Sequence, residues 1–250
     1  MNKSKHDITP DRFDAVLFDL DGVLTDTARV HAACWKKMFD QFLQAWAKEK
    51  NEAFHAFDIA DDYKQYVDGK PRYDGVRSFL ESRGIKLSYG DPHDAPDAET
   101  ICGLGNRKNA MLNEVLEAEG VDVYQGSVDL VHRLHGQGIR TAVVSSSKNC
   151  EAILRAAGIA DLFEVRVDGV VAAELKLAGK PTPDTYLKAV EQLGVSPKRA
   201  VVVEDAISGV EAGRRGHFGL VVGVDREGDA DALKKHGADV VVNDLSEMLH

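Results

Sequence analysis

A short apolar run, Phe13 and Ala15 through Phe18, ends abruptly at Asp19-Leu20-Asp21-Gly22. The run reads as a buried β-strand bounded by Gly22. Residues two apart on a strand point to the same side, so strand geometry carried through Leu20 puts Asp19 and Asp21 in one neighbourhood. They would lie at the strand's carboxyl end, where ligands bind in open α/β sheets. Two close carboxylates repel and need a cation, a shared proton or a charged substrate. The competing reading is a solvated turn, since Asp and Gly are common turn residues. The motif alone leaves the two level.

Two further apolar runs decide between them. Ile139 to Val144 ends in Ser145-Ser146-Ser147-Lys148-Asn149, and Ala200 to Val203 ends in Glu204-Asp205. Between them, Gly179-Lys180-Pro181-Thr182-Pro183-Asp184 is a rigid turn presenting one lysine. Strand ends gathered at one edge of a parallel sheet would assemble aspartates, hydroxyls, an ammonium and an acidic pair. That set suits magnesium-assisted phosphoryl transfer. Carboxylates hold a hard cation, and hydroxyl and ammonium groups hold phosphate oxygens.

These segments resemble the haloacid dehalogenase superfamily of phosphohydrolases and mutases, in the branch of β-phosphoglucomutase-like proteins. The resemblance runs from about Phe13 to Val224, with four motifs in the family's order: Asp19 to Thr27, Ser145, Lys180 and Glu204-Asp205. It implies an α/β fold, a doubly wound parallel-sheet, Rossmann-like core with an inserted all-helical cap domain. The expected division is 1–26 with 122–250 for the catalytic core and 27–121 for the cap.

The texture of the chain agrees. Ala28 to Lys50 reads as one long amphipathic helix. A helical stretch follows from near Asp58, then a loop at Asp68 to Arg72, a short helix around Val76 to Arg83 ended by Gly84, an exposed loop at Asp91 to Asp97, and a helix from Asn106 to Glu119. From Val123 onward helices and strands alternate: helices at Val128 to His135, Glu151 to Ala157, Tyr186 to Leu193, Val210 to Arg215 and Asp229 to His236, and strands at Phe163 to Val167, Leu220 to Val224 and Val240 to Val242 besides those above. That alternation predicts a parallel sheet with right-handed crossovers. Segments near Thr25 to Thr27 and Gly120 to Tyr124 are the expected hinges, whose motion would exclude water from the site.

Composition narrows the partners. The 250 residues carry 41 acidic and 31 basic side chains, a net charge of -10. This argues against nucleic acid or an anionic membrane surface as partner. Cys34, Cys102 and Cys150 are odd in number, far apart and without metal-ligand spacing, as expected of reduced thiols in a cytoplasmic protein. Residues 1–7 lead into no long apolar segment, so neither a signal peptide nor a membrane span is expected. The expected partner is a small-molecule sugar phosphate, with the chain itself a monomer or weak homo-oligomer.

The resemblance assigns roles. Asp19 becomes the nucleophile that forms an aspartyl-phosphate, and Asp21 the general acid and base. Mg2+ is held by Asp19, the backbone carbonyl of Asp21, Glu204 and Asp205; helix capping before Ile207 is the alternative use of the acidic pair. Ser145 and Lys180 serve the phosphoryl oxygens. Thr27, His31 and Trp35 share a helical face; by default it is a packing stripe, and the family pattern gives Thr27 and His31 to the substrate. Arg72 is the best match to a cap arginine for the remote phosphate, with Lys70 and Lys108 as further candidates, and Ser147, Lys148 and Asn149 hold a second phosphate. Two departures stand out: Asp68-Gly69 replaces the mutase's Lys-Gly, and the cap is longer around Asn51 to Asp61 and Ser88 to Ile101. Both bear on the substrate and on the choice between mutase and phosphatase, and the expected reaction is hydrolysis of a small sugar phosphate. The alternatives are a β-phosphoglucomutase and a non-catalytic sugar-phosphate sensor. A dehalogenase is disfavoured by Asp21 and the acidic pair.

Overall fold

The computed structural model describes residues 6–226 and 228–249. Six strands form one parallel sheet: β1 (Ala15–Phe18), β2 (Arg140–Val144), β3 (Val165–Val167), β4 (Ala200–Glu204), β5 (Leu220–Val224) and β6 (Val240–Val242). Their order is β3-β2-β1-β4-β5-β6. Ala15 pairs with Arg140 on one side and Ala200 on the other, and Phe18 with Val143 and Val203. All four β1 residues are fully buried. Continuous Val-rich strands are what a sheet covered on both faces requires. The order reverses between β1 and β4, so their carboxyl ends flank the switch point at which α/β sheets bind ligands.

By contact the chain divides into two compact units, one made of the described residues through Asp26 and from Val121 on, the other Thr27–Gly120. The second unit contains α1 (Ala28–Lys50), a π-helix over Ile59–Val67, α2 (Arg72–Ser82) and α3 (Ile101–Glu119). Its core is aromatic. Phe39 lies 5.3 Å from Trp35, 5.0 Å from Phe57 and 4.3 Å from Phe79, ring centre to ring centre. The span of α1 is as the periodicity predicts. The other two helices begin earlier than expected. Pro71 occupies the N-cap of α2, which draws Arg72 out of the expected loop and into the first turn. At α3 the Thr100 hydroxyl accepts from the Gly103 N–H at 2.9 Å, a cap satisfying a donor the helix cannot.

In the first unit α4 (Gln125–Gly136), α5 (Cys150–Ala156), α6 (Gly169–Glu174), α7 (Asp184–Leu193), α8 (Ile207–Arg215) and α9 (Ala230–His236) connect the strands. Alternation along β1 turns Ala15 and Leu17 toward Tyr186, Ala189, Val190 and Leu193 of α7. Val210 of α8, Val221 of β5 and Leu233 of α9 form a second packed group. The six-residue α6 was not foreseen: it is too short for periodicity to show, and its start is set by the Asp168 carboxylate accepting from the Val170 and Val171 N–H groups. The two connections between units begin as a pair of extended segments. Thr25 and Val123 form an antiparallel bridge, the Asp26 N–H donates to the Asp122 carbonyl at 2.9 Å, and the Tyr124 N–H to that of Leu24 at 3.0 Å. The three cysteines are buried and free. Among the described residues no helix is long and apolar enough to cross a membrane.

Candidate active site

Asp19 directly follows β1, and its N–H continues the ladder by donating to the Val203 carbonyl at 3.0 Å. The backbone therefore delivers its carboxylate to the carboxyl edge beside Glu204, the last residue of β4. The turn before α7 brings Lys180 to the same point. Its Nζ donates to Asp19 Oδ1 at 2.5 Å and to the Val144 carbonyl at 3.2 Å, and lies 2.5 Å from Glu204 Oε1. One ammonium thus ties the ends of β1, β2 and β4. The Tyr186 hydroxyl donates to Glu204 Oε1 at 2.6 Å. Lys180 is 3% exposed and Glu204 1%, so these charges are interior ones.

Burial shapes their protonation. It pushes the Asp19 carboxyl well above the usual carboxylate range; the charge of Glu204 adds to this and Lys180 opposes it. For Lys180 burial works against the ammonium, and the Asp19 and Glu204 carboxylates more than compensate, leaving it firmly charged. Tyr186 is held as a neutral phenol, raised by burial and then by Glu204.

Asp19, Glu204 and Asp205 each offer a carboxylate oxygen within 4.8 Å of one another. With all three carboxylates ionised, as metal binding requires, the single ammonium leaves the cluster two negative charges in excess. A hard divalent cation would balance them, and all-oxygen ligands are what Mg2+ takes. Lys180 is placed on Asp19 Oδ1 and Glu204 Oε1, so each of those carboxylates keeps a second oxygen for a metal. The donor set fits the ion. The Asp21 carboxylate is not one of the three. Helix capping is not the main use of the acidic pair: the N-cap of α8 falls on Ala206.

Glycines shape this edge. A Cβ on Gly209 would lie 1.9 Å from the Glu204 carboxyl carbon, so α8 can approach the carboxylate only without a side chain there. Gly22, at φ +81°, lies against Asp205: a Cβ would fall 1.7 Å from its Oδ2.

Ser145 is buried at the end of β2, and its Oγ accepts from the Ser147 N–H at 3.0 Å. Ser147 Oγ in turn accepts from the Asn149 N–H at 3.1 Å, which builds the 145–149 segment into a tight polar loop. The remaining predicted residues lie in the helical unit. Thr27 is buried at the N-cap of α1. Lys108 is a buried residue of α3, with Nζ 3.0 Å from His31 Nδ1 and 5.2 Å from the centre of the Trp35 ring. Arg72 donates from Nη2 to Asn109 Oδ1 at 2.6 Å, and Lys70 from Nζ to Ser78 Oγ at 3.0 Å. Sequence reasoning missed Tyr186, hidden as an ordinary apolar position of α7, and Arg226, whose Nε donates to the Gly22 carbonyl at 2.9 Å. No local pattern marks either.

Residues 13–217 match the family model of haloacid dehalogenase-like hydrolases. A β-phosphoglucomutase of Mycobacterium tuberculosis is 51% identical over 243 residues, spanning 96% of this chain and 93% of that protein. That of Bacillus subtilis is 32% identical over 235 residues, 94% of this chain and 91% of that one. The crystal structure of β-phosphoglucomutase from Clostridium difficile superposes with a TM-score of 0.74 at 26% identity, covering 94% of this chain and 93% of that one. With the strand-end motifs assembled on a parallel sheet and these relatives spanning nearly its whole length, the chain belongs to the haloacid dehalogenase-like hydrolases, in their β-phosphoglucomutase branch.

Proposed function

We propose that this chain is a Mg2+-dependent β-phosphoglucomutase, interconverting β-glucose 1-phosphate and glucose 6-phosphate through an aspartyl-phosphate. The observation that carries the phosphoryl-transfer chemistry is the buried Asp19–Lys180 pair at the end of β1, inside a cluster short of two positive charges. The relatives named β-phosphoglucomutase, matched over nearly the full chain, turn the reading from sugar-phosphate hydrolysis to mutation. The longer cap and Asp68-Gly69 remain departures from the mutase pattern.

Asp19 is the nucleophile: one of its oxygens bonds to phosphorus as the sugar oxygen leaves. Asp21, two residues on, gives a proton to that leaving oxygen and takes one from the acceptor hydroxyl in the return step. Lys180 and Ser145 hold the phosphoryl oxygens, and the pre-aimed ammonium needs no reorganisation as charge moves onto them. Asp19, Glu204, Asp205 and the Asp21 carbonyl would hold Mg2+, which would supply the charge neutralisation that lets a carboxylate approach a phosphate. Thr27–Gly120 serves as the cap domain. Thr27, His31, Lys108 and Arg72 bind the sugar and its remote phosphate, and Ser147, Lys148 and Asn149 a second phosphate.

The test mixes purified protein with Mg2+ and β-glucose 1-phosphate, with and without glucose 1,6-bisphosphate, and follows products by phosphorus NMR beside Asp19→Ala. Glucose 6-phosphate that depends on the bisphosphate and on Asp19 is expected. Inorganic phosphate as main product would make the chain a phosphatase. Turnover unchanged by thorough chelation would remove Mg2+ from the mechanism, and no turnover at all would favour a sensor.

A further inference from the structure

Arg226 lies two residues beyond β5, outside the four motifs, yet it links the segments that follow β1 and β6 at the carboxyl edge. Its Nε donates to the Gly22 carbonyl after β1 at 2.9 Å. Its Nη1 donates to the Asn243 carbonyl after β6 at 3.0 Å and lies 3.4 Å from Asp244 Oδ2. The guanidinium carbon sits 3.6 Å from the centre of the Tyr124 ring, a stacked contact. Tyr124 is itself held by its hydroxyl, which donates to Asp26 Oδ1 at 2.8 Å. Since β4 lies between β1 and β5 in the sheet, the bond from Arg226 to Gly22 joins segments on either side of β4. Its Nη2 is buried without a hydrogen-bond partner among the described residues. A smaller side chain would avoid that cost, so packing alone does not explain an arginine.

The bond to Gly22 matters because Gly22 is in close contact with Asp205, near enough that a single added carbon would collide with Oδ2. Gly22 also follows Asp21 directly. A shift of the Gly22 peptide therefore moves the backbone of Asp21 and the rest of Asp205 together. We propose that Arg226 is a positioning residue for the phosphoryl-transfer site: by holding the Gly22 carbonyl it sets the Asp21 backbone and the Asp205 carboxylate for Mg2+ and phosphate. This rests on the function proposed above. The stack on Tyr124 orients the guanidinium and joins the loop to the paired segments at Asp26 and Tyr124.

The test compares wild type, Arg226→Met and Arg226→Lys by calorimetric titration with Mg2+, by thermal melting, and by kcat and KM. In Arg226→Met the Mg2+ dissociation constant should rise about tenfold, the usual effect of losing a group that orients a ligand. Its kcat should fall by a similar factor while KM for the sugar phosphate changes less than about threefold. Arg226→Lys should restore the melting temperature but only part of the Mg2+ affinity, since an ammonium cannot both stack flat and reach Gly22. A folded variant with Mg2+ affinity and kcat within about twofold of wild type overturns the proposal. So does a loss of kcat that only tracks the melting temperature. If Arg226→Met does not fold, Arg226→Lys decides on the same criteria. A wild-type chain that binds Mg2+ but transfers no phosphoryl group refutes the proposed function, and the Mg2+ titrations still decide the role of Arg226. A wild type that binds no Mg2+ overturns both.

Discussion

Lys180 and Asp19 are 161 residues apart in sequence, and Nζ of the first donates to Oδ1 of the second at 2.5 Å. The pair is buried with Glu204 as a third member. Removing the ammonium from such a cluster leaves like charges facing each other in a medium that solvates them poorly.

Lys180→Met should therefore cost about 3–5 kcal/mol of stability, because the Asp19 and Glu204 carboxylates lose their cation. Chemical denaturation measures the loss. Added Mg2+ should recover part of it, since it supplies charge to the same carboxylates. Asp19→Asn relieves repulsion and should leave stability nearly unchanged while abolishing phosphoryl transfer. An Asp19→Asn protein as unstable as Lys180→Met would contradict the charge balance described for the cluster.

Gly209→Ala tests the close approach of α8 to Glu204. The added Cβ would overlap the carboxyl group, so the helix or the carboxylate must shift, at about 1–3 kcal/mol. The Tyr186 hydroxyl would lose its 2.6 Å acceptor geometry. Gly136→Ala is the control: nothing lies within 4 Å of its Cβ, and the change should be neutral or stabilising by up to about 1 kcal/mol. Thermal melts of the two variants should move apart.

Asp244, a contact of Arg226, provides a pH test of stability. Its carboxyl lies below the usual 3.8, held down first by the Ser246 hydrogen bonds and then by Arg226. A folded value below the unfolded one gives stability that is complete above the unfolded value and disappears as pH falls through the folded one. Asp244→Ala should cost about 1 kcal/mol at neutral pH, the worth of a helix cap at a partly exposed position. The gap between the two proteins should narrow below pH ~4. A gap constant down to pH ~2 would mean that the carboxylate charge contributes nothing.

Phe39→Ala should destabilise the helical unit by about 3–5 kcal/mol, because three aromatic neighbours lose their common partner and the site cannot collapse onto a methyl group. Phe39→Leu should cost clearly less. Near-ultraviolet dichroism together with urea unfolding follows both.

Much of this molecule is legible locally. The run of apolar residues before Asp19, the repeat of aromatics through Ala28–Lys50 and the Val-rich strands carry their own periodicity, so α1 and the sheet strands are readable with no knowledge of their neighbours. Less legible were the starts of α2 and α3. Those were decided by Pro71 in an N-cap and by the Thr100 hydroxyl closing on Gly103, single-residue events that leave no periodic trace.

The site divides along the same line. Strand-end chemistry is written in consecutive residues: Asp19 with Asp21, Ser145 through Asn149, and Glu204 with Asp205 all show their types and spacing in the chain itself. Which of them meet was settled by tertiary structure. The β3-β2-β1-β4-β5-β6 order sets β1 beside β4, which brings Asp19 to Glu204 and Asp205 and lets the turn before α7 place Lys180 between them. The bonds from Tyr186 to Glu204 and from Arg226 to Gly22 depend wholly on that order, because each joins segments with no local relation. Periodicity and residue chemistry act over a few positions and so are open to reading in the sequence; the meeting of polar groups 161 and 204 residues apart exists only once the strands have paired.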